Sequence, residues 1–314
     1  MDALVLVPEG KTGHLNQALG VARRLGANVC VKAPSNSFFS GPPETGGATL
    51  VIGAGKQSVA PLRRLVKRGA PRPFVAMFQA VRKPSDYDLV WAPSHDRMRA
   101  RHGSLDTLVE TLTAPSVITE AQIAAAAREL EGTLAHCAAP RIGVLVGGRS
   151  RAHRFGVQEA EDLAARLAAF AKSHDASLLI TTSHRTPPQT AQILSERLSD
   201  VPHHLYDIRN PGVVPAETAF AGILGLSNGF VVTADSVSML SEAAATGKPL
   251  YGWRLPGGKI KFERFYDGLI RHGALRWFDG GWESWRYQPI DSTAVIAKAI
   301  AERMALFARA DERM

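Results

Sequence analysis

Residues 8–26 read PEGKTGHLNQALGVARRLG, with Gly10, Lys11 and Thr12 ahead of a helix-like run. A phosphate-wrapping P-loop needs Gly-x-x-x-x-Gly-Lys-Ser/Thr, because a long glycine-rich loop must turn its N–H groups inward. Five positions before Gly10 stands Val5, inside the apolar run LVLV. That residue belongs to a strand, so no loop is left to wrap a phosphate. A second Gly-Lys, in VIGAGKQS, fails the same way with Leu50. The dinucleotide pattern Gly-x-Gly-x-x-Gly fails too, since Ser58 stands where the third glycine belongs. What survives is a short glycine turn between strand and helix, which aims helix N–H groups at an anion.

The same strand-turn-helix unit recurs outward from this stretch. TLVIGAG runs into KQSVAPLRRLVKRG, RIGVLVGG into VQEAEDLAARLAAFAKSHD, SLLITTS into PQTAQILSERLSD, and GFVVTAD into SVSMLSEAAATG. Strands separated by helices of this length predict right-handed βαβ units and parallel sheets. The strands are nearly all apolar, which predicts sheets covered on both faces. SVITEAQIAAAARELEGTLAHCAAP reads as a helix capped by Thr119 and ended by Pro140. The fold class is therefore α/β, with two parallel-sheet domains over residues 1–138 and 139–290. A closing helix over 291–314 starts from Asp291 or Ser292.

Composition narrows the function. The chain has 314 residues and 45% hydrophobic residues, enough for a sizeable core. Thirty-seven Lys and Arg against 29 Asp and Glu leave a net charge of +8, which favours anionic partners. Cys30 and Cys137 are the two cysteines, and both read as unremarkable thiols. MDALVLV has no basic leader and no long apolar stretch, so it reads as a first strand. These features predict a cytoplasmic protein, with a basic face suited to peripheral contact on an anionic membrane. Nucleic acid is not expected as a partner, because no recognisable module accompanies the basic clusters.

Three loops carry the strongest signals for chemistry. In GFVVTADSVSMLSEAAATGKPL, Asp235, Ser236 and Ser238 sit at a helix start, and Glu242 falls one turn after Ser238. Hydroxyls and N–H groups there suit a diphosphate, and a carboxylate suits ribose hydroxyls. The same residues also fit an ordinary capped helix with Glu242 in solvent. In VLVGGRSRAHRFG, Gly147 and Gly148 permit close backbone approach. Arg149, Ser150, Arg151, His153 and Arg154 follow, a cationic group that reads as a solvated basic loop or as one that an anion holds together. In LLITTSHRTPPQT, Ser183 and Arg185 follow another strand. Together the three loops describe a nucleotide-diphosphate site without a P-loop. In the first domain Gly10, Thr12, Gly13, His14 and Asn16 stand at the mouth of the first strand, with His14 a base, a phosphate ligand or a helix-start histidine bonded to backbone. Asp86 and Asp88 form an Asp-x-Asp at a strand entrance, which reads as turn chemistry rather than a metal site. No metal site is expected, since no histidine or cysteine cluster has zinc spacing.

GKTGHLNQALGVA, VGGRS, TTSHRTP and VTADSVSMLSEAAATGKP, in this order, resemble the bacterial branch of the Elm (elongate mitochondria) family. That family takes its name from a plant mitochondrial fission factor and is similar to GT-B glycosyltransferases. The resemblance implies two Rossmann-like domains facing a cleft, with a C-terminal helix crossing back to the first. It implies a nucleotide-sugar donor, uridine-type as the commonest choice, a lipid or saccharide acceptor, and no further cofactor. Gly148, Arg149 and Ser150 match the diphosphate loop, and Ser236, Ser238 and Glu242 the diphosphate-and-ribose helix. Gly13 and His14 match the acceptor-side glycine loop, with His14 the acceptor's base in an inverting transfer. Asp235 stands seven residues before Glu242, where a retaining pair would carry a second glutamate. Sugar transfer, nucleotide-sugar epimerisation and a non-catalytic membrane-surface scaffold are the three functions this family leaves open.

Overall fold

The computed structural model describes residues 1–34, 41–69, 71–210 and 213–311. The chain divides into two units, Met1–Val117 with Asp291–Met314, and Ile118–Ile290.

In the first unit β1 (Asp2–Leu6), α1 (Thr12–Arg24), β2 (Asn28–Lys32), β3 (Leu50–Ala54), α2 (Lys56–Val66), β4 (Phe74–Phe78), β5 (Leu89–Pro93), α3 (Met98–His102) and β6 (Leu108–Thr111) follow in order. The six strands form one parallel sheet ordered β2-β1-β3-β4-β5-β6. Leu4, Leu6, Val51, Val75, Met77 and Val90 bury against Leu62 and Leu65 of α2. Each such side chain contributes about 1.5–3 kcal/mol through lost apolar surface. The edge strand β2 departs from the double-covered expectation: it is largely exposed, and Cys30 with it.

The second unit opens with α4 (Glu120–Leu130) and β7 (Arg141–Leu145). α5 (Val157–His174), β8 (Ser177–Thr181), α6 (Pro188–Arg197), β9 (His203–Tyr206) and α7 (Ala216–Leu226) come next. β10 (Gly229–Thr233), α8 (Val237–Ala244), β11 (Leu250–Trp253), α9 (Ile260–Arg271) and β12 (Leu275–Trp277) complete it. Its six parallel strands run β12-β11-β10-β7-β8-β9. Ile142, Val144, Leu178, Ile180 and Val231 pack against Leu163, Leu167 and Phe170 of α5.

The chain then returns to the first unit as α10 (Ser292–Asp311). Asp291 caps it by accepting the Ala294 N–H at 2.9 Å. Phe307 packs edge-on against Phe74 at 5.8 Å, and the Ser292 and Thr113 hydroxyls meet at 2.6 Å.

The boundary expected at residue 138 lies earlier, because α4 belongs to the second unit. Thr119 caps α4 in a reciprocal capping box with Gln122, as its sequence indicates, but the helix ends at Leu130 rather than near Pro140. Its alanines meet α7 at two glycines. A Cβ on Gly225 would stand 2.7 Å from the Ala127 Cβ, and one on Gly222 2.4 Å from a Leu130 methyl. Small residues on both helices thus allow a close approach that fixes α4 to this unit. Gly225→Ala is expected to lower stability by about 1–3 kcal/mol through overpacking, read from the chemical-denaturation midpoint. An unchanged midpoint would refute this packing.

Candidate functional site

In open α/β sheets, ligands gather at the carboxyl ends of the strands where the strand order reverses. The second unit reverses between β7 and β10, and β8 flanks β7. The three loops singled out from the sequence follow these three strands, so the topology brings them together.

Asp235, two positions beyond the end of β10, is the group around which they assemble. Its side chain is fully buried, and Arg185 Nη1 lies 2.8 Å from Oδ2. The Gly148 N–H donates to Oδ2 at 2.9 Å, and the Thr233 hydroxyl donates to Oδ1 at 2.8 Å. Thr233 Oγ1 in turn accepts the Gly147 N–H at 2.7 Å. One buried carboxylate therefore ties the ends of β7 and β10 and the loop after β8. A buried charge survives only when paired and hydrogen-bonded in this way.

The two glycines serve this assembly. A Cβ on Gly147 would stand 2.4 Å from both Asp235 oxygens, and one on Gly148 2.0 Å from the Arg185 carbonyl oxygen. The backbone approaches the carboxylate and a neighbouring loop. The loop's N–H groups are also committed: Arg149 donates to the Arg185 carbonyl at 3.3 Å, and Ser150 to the His153 carbonyl at 3.1 Å.

The predicted hydroxyls divide in the same manner. Ser150 Oγ accepts the Ala152 and His153 N–H groups, and Ser183 Oγ accepts the Arg185 N–H. Ser236 Oγ caps α8 by accepting the Met239 N–H. Ser238, Arg149 and Arg151 are exposed, and the two arginines make no ion pair among the described residues. Glu242 lies half-buried on α8. The Val237 and Ser238 N–H groups, in the first turn, have no partner inside the helix.

A fourth loop, which the sequence did not single out, closes over the first. Residues 254–259 follow β11, and Gly257 bridges His153. The Arg154 N–H donates to the Pro256 carbonyl at 2.9 Å. His153 is buried, with Nε2 3.3 Å from the Tyr266 hydroxyl. That hydroxyl donates to the Ala234 carbonyl at 2.6 Å, so His153 supplies the proton between them. Burial pulls the His153 pKa down, with Asp235 and Glu263 opposing. The glycine-rich stretch RLPGGK was the one signal of this loop in the sequence.

In the first unit the order reverses between β1 and β3. His14, on α1 after β1, reaches this point: a Cβ on Gly55, after β3, would stand 3.3 Å from its Cδ2. Gly55 adopts φ +86°, a left-handed turn that suits glycine. Gly10, Thr12 and Gly13 are exposed beside it, and Asn16 is half-buried. No side chain caps α1 or α2, and neither first turn carries an acid. Burial lowers the His14 pKa below 6.5, with Gln17 opposing and Lys11 assisting. The Asp-x-Asp is structural: Arg72 holds Asp88 at 2.5 and 2.8 Å, and Arg63 holds Asp86 at 2.7 Å.

Two six-stranded parallel-sheet units of this kind match the GT-B class of α/β folds. By sequence the chain matches the family described as Mitochondrial fission ELM1 over residues 12–304, and it belongs to that family. It is 28% identical to Mitochondrial fission protein ELM1 of Arabidopsis thaliana across 83% of this chain and 65% of that protein. It is 26% identical to protein RP120 of Rickettsia prowazekii (strain Madrid E) across 50% of this chain and 45% of that protein. The chain thus spans less than two thirds of the length of both relatives. Among solved structures it is similar to the UDP-GlcNAc 2-epimerase of Methanocaldococcus jannaschii, with TM-score 0.50, 11% identity, and 96% and 99% of the two chains covered. A UGT transferase of Siraitia grosvenorii gives TM-score 0.50, 12% identity, and 97% and 91%. Both were solved with UDP.

Two outcomes test this geometry. Asp235→Asn keeps the shape but removes the charge facing Arg185, and should cost about 1–3 kcal/mol of stability. No loss in denaturation would contradict the hub. His14, lowered from 6.5, should titrate by NMR below that value. The unfolded chain binds that proton more readily, so the stability His14 contributes is present above pH 6.5 and lost as pH falls through its folded pKa. A midpoint at or above 6.5 would contradict its burial.

Proposed function

We propose that the protein is a GT-B-type glycosyltransferase that moves a sugar from a nucleotide-diphosphate donor to an acceptor. The observation that carries the reading is the grouping of Arg149, Arg151, Ser238 and the α8 N-terminus beside the β7/β10 reversal. In this reading the diphosphate lies on the first turn of α8, where the helix dipole adds about half a positive charge. Arg149 and Arg151 stabilise the departing diphosphate, and Glu242 accepts the ribose hydroxyls. Arg185 orients the site from its pair with Asp235. A metal is not needed for that charge balance, and the Asp-x-Asp is committed to arginines. The first unit holds the acceptor, a lipid or saccharide, with His14 as base; its depressed pKa keeps the imidazole neutral at neutral pH, as a base must be. Uridine is the proposed nucleoside of the donor, and the inner face of the cell membrane the proposed place of work.

The family description names mitochondrial fission, and a fission-related scaffold without catalysis is the second reading. Thermal melting across nucleoside diphosphates and nucleotide sugars separates the two. A ligand at one hundred times its Kd should stabilise the wild type by about 2.7 kcal/mol. Arg149→Ala and Glu242→Ala should lose most of that shift. If no nucleotide stabilises the protein, the scaffold reading replaces transfer; donor turnover without any acceptor would make the protein an epimerase.

A further inference from the structure

The net charge is not shared evenly. The first unit carries 19 Lys and Arg against 12 Asp and Glu, and the second 18 against 17. The diphosphate reading leaves the excess unexplained, because its arginines lie in the nearly neutral second unit.

Part of the excess surrounds a cavity of about 390 Å³ between α2 and the β4–β5 connection. Its charged lining is Arg63, Arg82, Lys83 and Asp86. Asp86 is already neutralised by Arg63 Nε at 2.7 Å. Arg82 and Lys83 are exposed and make no ion pair among the described residues. The remaining wall is apolar and neutral: Val59, Val81 and the buried ring of Tyr87. The Tyr87 hydroxyl donates to the Val59 carbonyl at 2.9 Å. Burial, reinforced by Asp86, pushes Tyr87 up to about 12, so it stays protonated and adds no negative charge.

A guanidinium fork and an adjacent ammonium suit an anion with three or more oxygens, the fork taking two and the ammonium another. The apolar wall suits hydrocarbon beside that anion. We propose that this cavity is a binding site for a phosphate ester with an apolar portion next to the phosphate, held by Arg82 and Lys83. The site does not depend on glycosyl transfer. A soluble phosphorylated metabolite and a phospholipid headgroup share this chemistry.

The test measures n-octyl phosphate binding by calorimetry below its micellar concentration, and flotation with vesicles of phosphatidylcholine containing phosphatidylglycerol. Two variants lose the same charge, Arg82→Ser with Lys83→Ser, and Arg23→Ser with Lys32→Ser on exposed positions elsewhere in the unit. The proposal predicts saturable octyl phosphate binding that weakens at least about tenfold in the first variant and less than about twofold in the second. Vesicle binding lost with it identifies a lipid source; vesicle binding absent or unchanged identifies a soluble ester. Absence of octyl phosphate binding to wild type, or equal weakening in both variants, overturns the site. Nucleotide binding in the second unit should be the same in wild type and both variants, so its failure is read separately.

Discussion

A single buried carboxylate organises the second unit. Asp235 accepts the Gly148 N–H and the Thr233 hydroxyl and pairs with Arg185. Isolated in a low-dielectric interior such a charge would be very costly, so its partners must be held in place. Those partners lie at the ends of β7, β8 and β10, and the pair is therefore also the register of three loops. Glycine at 147 and 148 follows from it, since a side chain at either place would collide with the carboxylate or the Arg185 backbone. The exposed groups, Arg149, Arg151 and Ser238, stand on this frame rather than forming it.

The two units solve the same topological problem differently. In the second, the ends of the reversing strands are linked by the carboxylate network. In the first, an imidazole against Gly55 occupies the corresponding position. Helices α1 and α2 both start there without side-chain caps or first-turn acids. The glycine-lysine pairs that resemble a phosphate loop are thus turns that carry the chain from strand into helix. In the second unit, glycines 147 and 148 after β7 serve the carboxylate hub instead.

Much of this fold was legible in the sequence because strand runs and helix periods alternate, and burial on both faces writes continuous apolar strands. The exposed edge strand β2 broke that rule because nothing covers its outer side among the described residues. The end of α4 was misread since alanine-rich sequence supports a helix well past the place where Gly132 and its neighbours turn. Its membership of the second unit depends on Gly222 and Gly225, whose contacts lie about a hundred residues along the chain. The sequence names the loop residues by type, but not the contacts that each one makes. Asp235 and Ser236 both suit a cap, because helix starts favour aspartate and serine, and only the fold reveals that Ser236 caps while Asp235 is buried. His153 and the 254–259 loop were legible only as basic and glycine-rich stretches, since their pairing is made in three dimensions.

If the second unit is a nucleotide-diphosphate site built on the Asp235 frame, the most direct measurement is a crystal structure of the protein soaked with UDP. The expected result is the diphosphate on the first turn of α8, within hydrogen-bond reach of Ser238 and of Arg149 or Arg151, with Asp235 still paired to Arg185. A nucleotide bound away from α8, or one that displaces Asp235 from Arg185 to reach the Gly147–Gly148 backbone, would contradict it.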